Sequence, residues 1–330
     1  MNNKKTNIRL LINTWSKLKY SQISFNDKNI NQNNIKQIKD CFNSLKLNDL
    51  LMDGLSTEKL EKTSEFSGGL NYSEIFHRLI KQNKISPGLF LAAYASDYID
   101  SNKDYNKLAG FLARGLRTFA SLIREQDFAN IIQRNLIRDD KQLSINMNPE
   151  QDTKTHVDIK IKFKNKEFNI WTYQASKNAI YPHTIERVTG QRGELEDGYH
   201  LLCPINTEEG KKLLQKRKSF INSNDKIKKW KNDIKTINKQ TKKYGSIINM
   251  IQRRKELLNE IKKEINQIEK RCAEEIEIMN GWFLYSESYI KKVEKIIKAE
   301  KIKIEFNYNE LVNKLLTPER ILKRITLFKK

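Results

Sequence analysis

His156-Val157-Asp158-Ile159-Lys160-Ile161-Lys162-Phe163-Lys164-Asn165-Lys166-Glu167-Phe168-Asn169-Ile170-Trp171-Thr172-Tyr173-Gln174 is the stretch on which the reading of this chain turns. Val157, Ile159, Ile161 and Phe163 alternate with Asp158, Lys160 and Lys162. A period of two sends successive side chains to opposite faces of a strand. Lys164-Asn165-Lys166-Glu167 supplies a charged hairpin turn, and Phe168 to Gln174 reads as a more apolar strand suited to the middle of a sheet. The first strand therefore carries one acidic side chain, Asp158, on its polar face.

Outward from that hairpin the pattern changes period. Upstream, Leu143, Ile145 and Met147 alternate with Ser144, Asn146 and Asn148, a strand that stops near Pro149. Before it, Leu108, Phe111, Leu112, Leu116, Phe119, Leu122 and Ile123 recur at helical spacing within a helix expected over 104–137. Downstream, a short helix is expected around 184–191, and Tyr199-His200-Leu201-Leu202-Cys203-Pro204 returns to the sheet. The local order is helix, strand, hairpin, helix, strand. This is an α/β core spanning 104–207.

The flanks are helical. In 1–103, Ile8, Leu10, Leu11, Trp15 and Leu18 form a stripe, a helix is expected over 33–52, and 56–71 reads as a loop. Ser73 can open a further helix. Ser86-Pro87 marks a helix start, because serine accepts from orphan amides and proline lacks a donor that the first turn leaves unused. In 208–330 the chain turns strongly basic: between Lys211 and Lys243 there are 13 Lys or Arg, with only Asp225 and Asp233 as acids. Leu258, Ile261, Ile265, Ile268, Cys272 and Met279 supply a seam that fits an antiparallel helical hairpin or a homodimeric coil. A strand over 282–285, a helix over 289–301 and a terminal helix through Leu311, Leu315, Leu316, Ile321 and Ile325 complete the expectation.

The 330 residues carry 62 Lys and Arg against 40 Asp and Glu, a formal charge of +22. Such an excess favours polyanionic partners through counterion release. Cys41, Cys203 and Cys272 are too far apart to make a metal or redox pair. No apolar run approaches the about 18 residues of a membrane span, and the first residues show no signal-peptide pattern. A cytoplasmic protein without transmembrane association is expected. The four histidines show no metal-ligand spacing, and neither a phosphate loop nor a serine elbow is present.

The order of elements over about 108–205, with Asp158 on the second strand, resembles the PD-(D/E)xK restriction-endonuclease-like superfamily. That resemblance implies a restriction-endonuclease-like mixed-sheet core with helical N-terminal and basic helical C-terminal extensions. It implies Mg²⁺, with Mn²⁺ as a substitute, held by Asp158 together with Glu125 or Glu186. The Glu-x-Lys pair of the family falls on Thr172 and Gln174, so the expected carboxylate and lysine are both replaced. Gln174 and Lys177 would then orient phosphate and water. Against this, Asp158 reads equally as a surface strand residue paired with Lys160 or Lys162, Glu125 as a helix-surface residue, and Glu186 as a cap.

For the polyanion, Arg187 and Arg192 flank the helix that follows the third strand, and Arg114 and Arg117 would form a second clamp beside Glu125. Lys228, Lys229, Lys231 and Lys235 belong to the basic arm, within which Trp230 serves either as an anchor or as a base-stacking platform. The expectation is a metal-dependent DNA endonuclease of a restriction or defence type, with DNA favoured over RNA and dimerisation through the helices. The alternative is a non-catalytic DNA- or RNA-binding scaffold with a degenerate nuclease-like core.

Overall fold

The computed structural model describes residues 7–15, 27–44, 72–102, 108–147, 157–174, 198–279, 281–299 and 326–329. The elements in chain order are α1 (Ile8–Trp15), a 3-10 turn (Gln32–Asn34), α2 (Ile35–Ser44), α3 (Tyr72–Lys81), α4 (Pro87–Asn102) and α5 (Leu108–Leu136). Strands β1 (Ser144–Asn146), β2 (Ile159–Phe163), β3 (Lys166–Gln174) and β4 (Tyr199–Ile205) follow. Then come α6 (Thr207–Thr236), α7 (Lys242–Cys272), β5 (Ile276–Met279), β6 (Trp282–Tyr285), α8 (Glu287–Lys298) and β7 (Thr326–Lys329). This is an α/β architecture: helices first, a central mixed sheet, then helices again. The loop expected over 56–71 and the helix expected over 184–191 lie outside the described residues.

The central sheet has the order β1-β2-β3-β4-β7. β1, β2 and β3 form an antiparallel meander, β4 runs parallel to β3, and β7 closes the far edge antiparallel to β4. The terminal helix expected through Leu311, Leu315, Leu316, Ile321 and Ile325 lies outside the described residues, and 326–329 pair as a strand, Leu327 opposite Leu201. At the β2–β3 turn, Lys164 and Asn165 both adopt positive φ, 47° and 62°. Two consecutive left-handed residues make the tight turn whose twist matches the flanking strands. The Lys164 amide donates to Asp140 Oδ2 at 2.6 Å and ties the turn to the end of α5. That bond, with a second from the Gln142 amide, lowers the Asp140 carboxyl below its ordinary value. Gly198, at φ 127°, leads into β4, where a Cβ would stand 2.9 Å from the Glu167 carbonyl oxygen. Only glycine fits that approach.

α5 is the spine of the molecule. Its first half, through Ile123, enters a helical core with α1, α3 and α4, in which Trp15, Phe76, Phe90 and Phe119 interlock with Trp282 from β6. Its second half, from Phe128 to Leu136, packs on the sheet face formed by Ile159, Ile161, Phe168, Ile170, Leu201 and Cys203. Each fully buried side chain of this size contributes about 1.5–3 kcal/mol. Between the two cores the spine turns polar. Arg124 Nε donates to the Phe283 carbonyl at 2.9 Å, while Arg9 of α1 reaches Asp127 at 3.2 Å and Glu277 at 2.8 Å. The β5–β6 hairpin thus stitches the N-terminal helices to the sheet.

The helix start at Ser86-Pro87 is as the sequence predicts: Ser86 Oγ accepts from the Leu89 amide at 3.2 Å. Asn206, Thr241 and Ser286 cap α6, α7 and α8 in the same way.

Candidate functional site

Asp158 stands one residue before β2. The β2–β3 ladder ends at the Ile159–Ile170 pair, two residues short of Thr172. The Asp158 carboxylate extends it, accepting from the Thr172 amide at 2.5 Å and from the Thr172 hydroxyl at 3.2 Å. A carboxylate so placed substitutes for the missing main-chain partner of a buried strand. Lys160, which with Lys162 is one of the two partners the alternative reading offers Asp158, lies 3.5 Å from Glu167 across the hairpin.

The other catalytic candidates are occupied elsewhere. Gln174 Nε2 donates to the hydroxyl of Thr207, the first residue of α6, and so fixes the end of β3 to the start of that helix. Glu125 accepts from Ser121 Oγ one helical turn earlier, at 3.0 Å. Lys177 and Glu186 lie outside the described residues, as do Arg187 and Arg192. Arg114 is half-buried and Arg117 exposed, both on the half of α5 that builds the helical core, two to three turns before Glu125.

These placements overturn the expectation of a metal-dependent endonuclease. Among the described residues, no group of three or more His, Cys, Asp or Glu side chains is arranged to hold a metal ion. Magnesium binds hard oxygen ligands in a near-octahedral shell, usually including carboxylates. Here the aspartate that would begin such a shell is spent on a strand amide, and the position of its carboxylate partner holds Thr172. The Mg²⁺ or Mn²⁺ cofactor, the hydrolase activity and the restriction or defence role fall with the site.

The buried Cys203, Cys272, His200 and Tyr285 serve the packing of the fold. Cys203 and Cys272 are buried, and burial raises both thiols, Cys272 to about 11. A reactive cysteine needs the opposite shift. Burial pushes His77 down to about 4, so it is neutral at physiological pH. His200 is buried in the sheet and stacked on Trp171 with ring centroids 5.0 Å apart. Tyr285 donates its hydroxyl to the Cys203 carbonyl at 2.6 Å, and burial holds that phenol well above its ordinary value.

The basic arm is built differently. α6 and α7 form an antiparallel hairpin whose helices of 30 and 31 residues extend about 45 Å. Ile227, Ile247, Ile251 and Leu258 close its seam, with Phe220, Trp230, Ile234 and Ile237 against them. The apolar repeat is therefore satisfied within one chain. Trp230 belongs to that seam and carries the Arg254 guanidinium at 5.8 Å from its ring centroid, an anchoring arrangement. Lys228, Lys229, Lys231 and Lys235 are all exposed.

The sequence reading ended its basic run at Lys243. The fold adds Arg253-Arg254-Lys255 from α7, which the antiparallel return brings back alongside the lysines of α6. The tripeptide was visible as a charge cluster, but its position beside the first helix depends on where the chain turns.

Among the described residues, no helix is long and apolar enough to cross a membrane. Comparison of the chain with family models, characterised proteins and solved structures finds no match in any of the three.

Proposed function

We propose that this chain is a non-catalytic nucleic-acid-binding scaffold of the cytoplasm, with a degenerate nuclease-like core and a basic helical hairpin as its binding arm. The single observation that carries the reading is the hairpin: a pre-ordered, exposed pair of helices bearing most of its lysines outward. Fixed positive charge on a rigid element releases counterions from a phosphate backbone without a large ordering cost. Duplex DNA is favoured over RNA, because a narrow helical arm can lie along or across the B-form backbone and its major groove. The nuclease-like description of the core rests on an antiparallel meander followed by a strand parallel to β3, preceded by the long α5.

Fluorescence anisotropy of the full chain with labelled duplex DNA, single-stranded DNA and duplex RNA tests the reading. Binding that weakens steeply with salt is expected, tightest on duplex DNA, with the substrates recovered intact in the presence of Mg²⁺ or Mn²⁺. No binding to any of the three at low salt would reject it.

A further inference from the structure

The hairpin divides along its length. Residues 207–217 and 256–272, nearest the sheet, hold 8 Lys or Arg against 6 Glu. Three ion pairs join the two helices here: Arg217 with Glu269 at 2.6 Å, Arg271 with Glu209 at 3.0 Å, and Lys216 with Glu264. Residues 218–255, the distal part, hold 12 Lys or Arg against Asp225 and Asp233 alone.

Within the distal part the two acids are not evenly placed around α6. Asp225 lies seven residues after Lys218, and Asp233 lies seven after Lys226 and four after Lys229. At 3.6 residues per turn these spacings share one side of the helix. Lys228, Lys231 and Lys235 share a different side, spaced i, i+3 and i+7, about 10 Å along the axis. The positions extending that line toward the sheet are Asn224 and Ile221, neither of them acidic. Lys228 touches Asp225 at 3.4 Å, with both side chains well exposed, a contact worth little in water.

We infer that the Lys228–Lys231–Lys235 stripe is the line along which the hairpin follows the sugar–phosphate backbone of a duplex. The inference rests on the nucleic-acid-binding reading and narrows it to one face of one helix. Contact is with phosphates and carries no base preference. The proximal ion pairs tie the two helices to each other, and the stripe lies in the distal part, where basic residues outnumber acids 12 to 2.

The test uses the full chain and two exposed variants, neither of which disturbs the seam: K228Q/K231Q/K235Q and K218Q/K226Q. Affinity for a mixed-sequence duplex is measured across a salt series, alongside vesicles of phosphatidylserine and phosphatidylcholine. The stripe variant should lower the slope of log K against log salt by about 2.7, three phosphates at about 0.9 each. The second variant should change that slope by less than one phosphate's worth. Equal losses in both variants, or none in either, would overturn the stripe while leaving nucleic-acid binding intact. Absence of duplex binding by the unmodified chain would remove the function itself, and binding to vesicles alone would assign the arm to a lipid surface instead.

Discussion

The central sheet and the helical hairpin are both rich in polar side chains, yet they treat them in opposite ways. The sheet commits polar groups to its own framework: Asp158 caps Thr172, Gln174 holds Thr207, and Asn169 and His200 are fully buried. The distal hairpin turns them out, and Lys228, Lys231 and Lys235 stand in solvent. A carboxylate committed to a strand amide is a structural part. A lysine on a rigid surface stays available to a partner. The residue types alone suggested chemistry at the sheet as well as polyanion binding by the arm, and only the first of these is overturned.

The largest effect expected from that contrast is on binding. If the Lys228–Lys231–Lys235 stripe neutralises about three phosphates, raising salt from about 50 to about 200 mM should weaken duplex affinity about forty-fold. An isothermal titration series measures it, and a flat response would break the contrast at the hairpin.

Next comes the polar junction between the two cores. Burial raises the Asp127 carboxyl, and Arg9 opposes that rise. Arg9→Met should cost about 3–5 kcal/mol at neutral pH, because it strands a buried carboxylate. The folded state then holds the Asp127 proton more tightly than the unfolded chain does. Stability should therefore fall as pH rises through the range just above the ordinary carboxylate value, and acidification into that range should recover part of the loss. Urea melts of parent and variant at several pH values would show it. A pH-independent difference would remove the role given to Asp127.

Asp158→Ala sharpens the comparison on the sheet side. It leaves the Thr172 amide without its acceptor and should cost about 1–3 kcal/mol by urea denaturation. Duplex affinity should stay within a factor of about two, since the residue takes no part in phosphate contact. A large affinity loss with unchanged stability would reverse the assignment. The smallest effect belongs to the base of the hairpin. A double-mutant cycle on Arg217 and Glu269, both well exposed, should return less than about 1 kcal/mol.

Much of the fold can be read from local pattern. Alternation in Val157–Phe163 and again from Phe168 gives two strands, and Lys164-Asn165 between them gives their turn. Ser86-Pro87 gives a helix start, and the spacing of Leu258, Ile261, Ile265 and Ile268 gives a seam. The metal site was misread because the substitutions at Thr172 and Gln174 are neutral as letters. Their meaning appears only when Thr172 turns out to be the donor to Asp158, and Gln174 the donor to a helix start 33 residues later.

What the sequence determined by itself is whatever repeats within a few residues: strand and helix periods, capping residues, and the sign and density of charge along the arm. Tertiary structure alone decided which distant groups meet. It brought Arg9 to Asp127 and Glu277, Trp282 into the helical core, and Thr326–Lys329 onto the sheet beside β4. It also split the hairpin into a neutralised base and a charged tip. The physical reason is range: backbone periodicity is fixed by neighbouring residues. A hydrogen bond or ion pair between remote positions is fixed by how whole elements pack, and only that packing determines whether a charged side chain is consumed or left free to act.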